Sequence, residues 1–596
     1  MSRLMWRLRS LVENVRKSPV SSYATFTQRD FQYEDHSHSG TLLNRFAKSI
    51  AIQNSVEAKI AKNTIKYSQF YPVQNKDRFR QELEKIASDQ LVRLLMFTAN
   101  YRGNADIAKI YQVINDVDNE VNHRIEKLAY RDVQEILQMF MYLLPNKVTE
   151  LDTVRRGLQK LIDGFPENKT KENFVQICFY LGLFKKTKRQ SEQLKAFLEM
   201  YLSNYLEDLD SLQLALVANS AFKATVTISD KDFHQRLISE ILSMNTDVDI
   251  QLLVTFVKSL RHNKVDSACV LDKIQSILEE GDIQDGDLRA YTHLLALFAE
   301  NRRIPETFGK TISAECMEII KEEHEKSIEL TREDRYLNPN FRAKDLATFL
   351  WCCTNMQDNI LSRDDLNSVC NAILWKLRNY EYRYAFDEFV DTLLSFFMLG
   401  GKSEMLFKSF FNDKDFLVPP KGQNRIKLDS RQLLLISCLE IEMPEVLPNP
   451  VSGKKANSFA DVPNYLLEKR PKLVSVGQTL KDIADELELE KIELKLPVRN
   501  INIPSYRVEV RRSGGRNTSF WIEILDDKIT MADLETPTAF VRLKLRLLRQ
   551  LEQDYVLVNA AKKEGEQLKE CLRQTIKEHL ETLDSESEDE VQGVIK

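Results

Sequence analysis

The chain has 596 residues, more than one hydrophobic core usually serves, so it must fold as several domains or as an extended array. Hydrophobic residues make up 43% and charged residues 29%, a globular balance that excludes wholesale disorder, and the low numbers of Gly (17) and Pro (16) favour helix. A net charge of −5 excludes a uniformly basic nucleic-acid binder and leaves any polyanion contact to local patches.

The first 29 residues carry Arg3, Arg7, Arg9, Arg16, Lys17 and Arg29 against Glu13 alone. At helical spacing Leu4, Leu8, Leu11, Val12 and Val15 share one sector and the arginines lie outside it. Serines follow, from Ser18 to Ser22, and no further acidic residue appears before Asp30. A basic amphipathic helix with a serine-rich, acid-poor continuation is the pattern of a mitochondrial transit peptide, and the expected location is the mitochondrial matrix. Residues 30–88 read as a polar linker followed by the first helices. His36 and His38, beside Asp35, lack the fixed geometry of a metal site.

From residue 89 to 399 the pattern is a helical array. Apolar segments start at Phe174, Leu212, Ile250 and Leu288, three successive intervals of 38 residues, and looser copies start at Leu91, Val133, Leu346 and Phe389. A fixed period of this length predicts stacked helical hairpins, because one hairpin cannot bury its own apolar stripe. Val133, Ile136, Leu137 and Phe140 form one such stripe, and Phe389, Leu393, Phe396 and Phe397 another. Asp132, Asn173, Asp210, Asp249, Asp287 and Asp345 stand just before these segments, where a side-chain oxygen can cap a helix. Residues 322–341 lengthen one unit and read as an insertion.

From residue 400 to 490 the period is lost and Pro419, Pro420, Pro444, Pro448 and Pro450 punctuate the chain, which predicts a separate middle helical module. Ile492, Leu494 and Leu496 then alternate with charged residues as in a strand. Tyr506 to Arg511 and Phe520 to Leu525, flanking Ser513-Gly514-Gly515-Arg516-Asn517, predict a hairpin. Thr536-Pro537 opens a helix with Phe540, Leu543, Leu547, Leu548 and Leu551 on its apolar side, and Arg542, Lys544, Arg546 and Arg549 largely elsewhere. A strand follows over residues 554–559. Residues 491–563 are thus expected to form a small α/β domain, with a charged helix and acidic tail over 564–596. The longest apolar runs, such as Ile136 to Leu144, fall far short of the roughly 20 residues that span a bilayer, so no membrane span is expected. None of the eight cysteines forms a CxxC pair, which fits a reducing compartment.

This combination resembles the FAST-kinase-domain family. The terminal unit is similar to a RAP domain, with Trp521-Ile522-Glu523-Ile524 as a strand, Thr536-Pro537-Thr538-Ala539-Phe540 leading into the helix Arg542 to Leu548, and Tyr555-Val556-Leu557-Val558 as the next strand. Where the family carries a Gly-Pro turn and an aromatic segment ending in Trp, this chain has Asp526-Asp527-Lys528 and Asn559-Ala560-Ala561-Lys562. The resemblance implies a mostly α fold, a helical-hairpin repeat solenoid followed by a RAP-like, restriction-endonuclease-like α/β domain. It also implies an RNA-binding protein acting on processing, stability or translation of mitochondrial transcripts, with other RNA-processing proteins as further partners.

Three chemistries can be set against the residues. For RNA, the turns between paired helices carry Arg102, Lys147, Lys185, Lys186, Lys223, Arg261, Lys264, Arg302, Arg303 and Lys402, with Lys188 and Arg189 beside them. Only the turn at residues 355–358 lacks a basic residue. Stacking would align these cations along one edge, where they could follow the phosphates of a single strand, joined by Arg542, Lys544 and Arg546 of the terminal helix. The alternative is that they only complement helix dipoles. A nuclease would need carboxylates and a lysine converging on a metal, and Glu523, Asp526, Asp527 and Lys528, with Glu509, are the available set. A kinase is excluded, since the Gly-rich loop and the His-Arg-Asp and Asp-Phe-Gly motifs are missing, and Gly400-Gly401-Lys402-Ser403 reads as a solvated turn. No cofactor is expected. The competing class is a scaffold that holds protein segments in its groove.

Overall fold

Regular apolar spacing in water leaves the chain little choice but paired helices. The computed structural model describes residues 76–101, 107–144, 148–184, 188–245, 249–280, 287–329, 341–356, 359–383, 385–412, 424–448, 459–511 and 517–593. The transit-like segment, Arg102, Lys147, Lys185 and Lys186 lie outside these residues. The protein is mostly helical and ends in a five-stranded mixed sheet. It divides into two compact units, residues 1–243 with 251–265, and residues 244–250 with 266–596.

The first unit contains α1 (Lys76–Lys85), α2 (Ser88–Tyr101), α3 (Ile107–Arg124), α4 (Tyr130–Leu143), α5 (Asp152–Gly164), α6 (Lys171–Leu183), α7 (Lys188–Tyr205), α8 (Ser211–Lys223), α9 (Lys231–Ser243) and most of α10 (Ile250–His262). Leading helices pack on leading helices, α2 on α4 and α6 on α8, while their partners α3 and α5 pack behind. The α6–α8 approach is close: a Cβ at Gly182 would stand 2.7 Å from the Cα of Ser220, so only glycine fits there. Gln134 of α4 donates to Asn173 (2.6 Å) and Gln176 (3.0 Å) of α6, tying neighbouring helices by polar side chains inside an apolar row. The expected stripe Val133, Ile136, Leu137 and Phe140 is buried.

The second unit holds α11 (Ala268–Glu280), α12 (Leu288–Glu300), α13 (Glu306–Glu329), α14 (Ala343–Thr354), α15 (Arg363–Arg378), α16 (Phe386–Met398), α17 (Glu404–Asn412) and α18 (Asn424–Glu442). Helices α12, α14, α16 and α18 pack in a row, and α13, α15 and α17 form a second row. The first part of the expected separate module from residue 400, α17 and α18, therefore extends these two rows of helices.

The remaining chain builds one domain from β1 (Ala460–Asp461), α19 (Asn464–Lys469), α20 (Pro471–Asp482), β2 (Leu489–Leu496), β3 (Ser505–Arg511), β4 (Asn517–Leu525), α21 (Ala539–Gln550), β5 (Tyr555–Asn559) and α22 (Gly565–Gly593). The strand order is β1-β2-β3-β4-β5, antiparallel except for the parallel β4–β5 pair that α21 bridges. One face buries Val508, Phe520, Ile522, Ile524 and Val558 under Leu473, Val476 and Leu480 of α20 and Leu568, Leu572 and Ile576 of α22. The domain is thus wider than the expected 491–563, because its sheet needs α20 and α22 to cover an apolar face. Phe540, expected on the apolar side of α21, is instead exposed, while Val541 and Leu545 are buried.

A recurrent corner closes the helices. Two residues after α8, α10, α12 and α16, the chain turns through Thr225 (φ 57), Lys264 (φ 53), Arg302 (φ 53) and Gly400 (φ 85). In each, the next N–H reaches back to a carbonyl inside the helix, as in Val226 to Ala221 (2.8 Å) and Gly401 to Phe396 (2.9 Å). Asparagines assist: the side-chain amides of Asn263, Asn301, Asn355 and Asn379 each donate to the carbonyl four residues earlier. Gly400 and Gly401 form such a corner, and a Cβ at Gly401 would meet the Phe396 ring at 2.5 Å. Of the expected caps, Asp210 and Asp287 accept from Gln213 (2.8 Å) and Ala290 (2.7 Å). Asp132, Asn173 and Asp345 sit inside the first turn instead.

Candidate nucleic-acid interface

A helix C-terminus presents carbonyls without partners, and cations satisfy them. In the second unit those cations come from the terminal domain. Arg542 of α21 donates from Nη2 to the carbonyls of Thr354 and Met356 (both 2.6 Å), closing α14, the one corner without a basic residue of its own. One turn later, Arg546 donates to Phe397 (2.9 Å) and Met398 (3.0 Å) at the end of α16, and its Nε bonds Glu442 of α18 at 2.8 Å. Arg302, at the corner of α12, reaches the other way to the carbonyls of Asp527 (2.7 Å) and Thr530 (3.1 Å). The N–H of Ala532 returns a bond to the carbonyl of Arg302 at 2.9 Å.

Between these corners and α21 run two adjoining cavities of about 340 Å³ each. The first is lined by Thr354, Met398, Gly400, Arg542, Arg546 and Arg549, among others. The second is lined by Arg302, Arg303, Asn355, Asp533, Thr536 and Arg542, among others. Five arginines converge on one crevice, and Asp533 is the only carboxylate among the described residues of its lining. Arg303 meets Asp272 of α11 at 2.7 Å, and Arg549 lies 5.5 Å from the Tyr555 ring centre.

The expected row of open cations is only partly present. The corners of α12, α14 and α16 do come together, but Arg302 is committed to the terminal domain, and Lys402 faces Glu442 at 3.5 Å. In the first unit, Lys223 and Arg261 occupy the last turns of α8 and α10, and Lys264 is exposed at its corner. Lys188 faces Glu192 at 3.8 Å, and Arg189 reaches Gln159 at 3.5 Å. Lys544 must be corrected: it is fully buried, so it cannot meet a phosphate. It lies three residues after Val541 and four before Leu548, on the buried stripe of α21, a spacing that could have revealed it. Arg549 was the residue missed as a binding candidate. Its place one turn after Arg546 at the exposed end of α21 was the available signal.

The acidic candidates are dispersed and engaged. Glu523 is buried with Lys544, accepts from Ser505, and shares Lys544 with Ser505 (2.8 Å) and the Ile503 carbonyl (3.1 Å). Burial pushes the Lys544 ammonium down to about 8, against the opposing pull of Glu523. Asp526 is buried against Arg470, which donates at 2.8 Å, and its other oxygen takes the N–H of Lys528 at 3.0 Å. Asp527 and Lys528 pair with each other at 2.9 Å on the surface, and that bond holds the Asp527 carboxyl below its ordinary range. Glu509 belongs to a different cluster, with Arg507 at 3.3 Å. These groups share no open centre, and among the described residues no three His, Cys, Asp or Glu side chains are grouped to hold a metal.

No protein-family model matches the chain, and no curated protein sequence matches it.

Proposed function

We propose that this protein binds single-stranded RNA in the mitochondrial matrix and acts after transcription on organelle transcripts, through their processing, stability or translation. The helical rows are the hairpin repeats of a FAST-type array, and the terminal sheet with its β4–α21–β5 crossover is a RAP-like domain. The recurrence of one corner geometry at Thr225, Lys264 and Arg302 favours the repeat reading. The observation that carries the RNA reading is the convergence of Arg302, Arg303, Arg542, Arg546 and Arg549 on one crevice with a single carboxylate among the described lining residues. Guanidinium forks match phosphate oxygens, and a concentration of them in a concave site attracts a polyanion even when the whole chain is slightly acidic.

Crosslinking the endogenous protein to RNA in intact mitochondria and sequencing the bound fragments tests this reading, with enrichment of organelle transcripts expected. Fusing residues 1–40 to a fluorescent protein tests the address, and diffuse cytosolic signal would remove the mitochondrial part. The scaffold is the second reading, favoured by corner cations already matched to carboxylates, as in Arg303 with Asp272 and Lys402 with Glu442. Recovery of protein partners with no crosslinked RNA would decide for it.

A further inference from the structure

Resting on the RNA reading, the geometry points to a more specific role for the crevice: it grips the phosphates of single-stranded RNA and does not read the bases. Volume is the first reason. Each cavity, at about 340 Å³, lies at the low end of the roughly 300–1,000 Å³ typical of small-ligand sites and suits a nucleotide-sized stretch of one strand.

The lining chemistry is the second reason. Among the described residues no Phe, Tyr, Trp or His lines either cavity, so this lining offers no aromatic platform on which single-stranded bases could stack. The polar groups that could read a base edge are mostly committed. Asn355 donates to the Trp351 carbonyl at 3.0 Å, and Thr354 donates to the same carbonyl at 2.7 Å. Asp533 accepts the N–H of Glu535 (2.8 Å), the N–H of Thr536 (2.9 Å) and the Thr536 hydroxyl (2.5 Å). Among the described lining residues, Asn359 is the amide that remains. What the crevice offers in quantity is guanidinium, and the carbonyls of α14 and α16 fix where the charges of Arg542 and Arg546 sit. Arg303 and Arg549 stand at its exposed margin, where a strand would meet them first.

A phosphate grip of this kind binds all sequences alike and leaves selection of a transcript to other surfaces of the chain. Two charge reversals at the margin, Arg303→Glu with Arg549→Glu, test it in the full-length protein by fluorescence anisotropy with labelled oligouridylate, oligoadenylate, oligocytidylate and an RNA duplex. The wild type is expected to bind the three single strands within about threefold of one another and the duplex at least about tenfold more weakly. The double variant is expected to weaken all three single strands equally, by about a hundredfold, and to lower the slope of log affinity against log salt by about 1.4, or 0.7 per lost phosphate. Lys408→Glu with Lys326→Glu, two reversals outside the crevice on α17 and α13, is the charge-matched control and leaves binding unchanged. Arg303→Gln with Arg549→Gln repeats the test with a smaller loss in the same direction, should the reversal unfold the protein. A base preference above about tenfold in the wild type, lost in the double variant, would overturn the phosphate-only grip. Unaltered affinity and salt slope in a folded double variant whose wild type binds RNA would move the site elsewhere and leave the RNA reading standing. A wild type that binds none of the four probes would sink both.

Discussion

The corners at Thr225 and Lys264 and those at Arg302 and Gly400 share one backbone design, with the same left-handed residue and the same backward hydrogen bond. Their surroundings differ. Thr225 and Lys264 are exposed, and the loop after α8 is laced by side chains of the neighbouring helical pairs: Ser191 donates to the Ala224 carbonyl at 2.7 Å, Asn263 accepts from the Ile228 N–H at 2.7 Å, and His262 meets the Val226 carbonyl at 3.1 Å. The corners of α14 and α16 face a helix more than a hundred residues away in sequence, whose arginines donate to their carbonyls, and the Arg302 corner exchanges backbone and side-chain bonds with the loop before that helix. Local sequence therefore sets the chain reversal, and long-range charge decides whether a reversal becomes part of a site.

The largest effect should come from beneath that helix. Lys544→Met leaves Glu523 buried without its cation and should cost about 3–5 kcal/mol in urea unfolding, while Lys544→Met with Glu523→Leu should recover most of it. A single variant costing under about 1 kcal/mol would show that α21 is placed by apolar packing alone. The pair also has a pH signature. Burial lowers Lys544 from 10.5 to about 8, so between those values the unfolded lysine holds a proton that the folded one has shed. Raising the pH through that window favours the folded state, and below it the contribution is flat. The stability of the wild type relative to the double variant should rise from about pH 8 to 10.5, and a fall would reverse the assigned direction.

Removing a covering arginine comes next. Arg546→Ala removes a charged donor from the Phe397 and Met398 carbonyls and leaves the nearly buried Glu442 with Lys402 alone at 3.5 Å, a loss of about 1.5–3 kcal/mol. Hydrogen exchange should quicken at the end of α16 and in α21 but not at the corner of α8. Uniform quickening along the chain would dissolve the distinction between the two kinds of corner.

The parts legible in the sequence are those set by neighbours along the chain. Alternation at Ile492 and Leu494 and the Gly514-Gly515 turn marked β2 and the β3–β4 hairpin, and the spacing of Phe389, Leu393, Phe396 and Phe397 marked a stripe that is buried. The site was half legible. Arginines at residues 302, 542 and 546 could be singled out as cations, but a wheel cannot show that they face carbonyls 148 to 228 residues away. Lys544 misled for a related reason: charge was read as exposure, whereas its position on the stripe required a buried partner such as Glu523. The closing asparagines went unread because their partner is four residues back, a local signal that apolar spacing alone ignores.

Caps should matter less than arginines. Asp210 accepts the Gln213 N–H while Gln213 returns a bond to the Asp210 N–H, so Asp210→Ala should cost about 1 kcal/mol by thermal unfolding. Asp132, inside the first turn of α4, offers only its charge to the helix dipole, and Asp132→Ala should cost about 0.3 kcal/mol. Equal costs would mean that the two aspartates act alike whatever their place in the turn.

A change of sign tests the shared corner itself. At Gly400, with φ 85, a Cβ would have no neighbour within 4 Å, so Gly400→Ala meets no clash and should lose only the roughly 1 kcal/mol that a left-handed L-residue costs. Thr225 already bears that cost, with a branched side chain at φ 57. Thr225→Gly relieves it but gives up the hydroxyl bond to Ala224 (2.7 Å) and adds freedom to the unfolded chain, so the net gain should be about 0.5 kcal/mol. Opposite signs at the two positions, read as melting temperatures, are what one backbone design with two different residues requires. A loss at both would mean that Thr225 is held by its hydroxyl more strongly than its backbone resists.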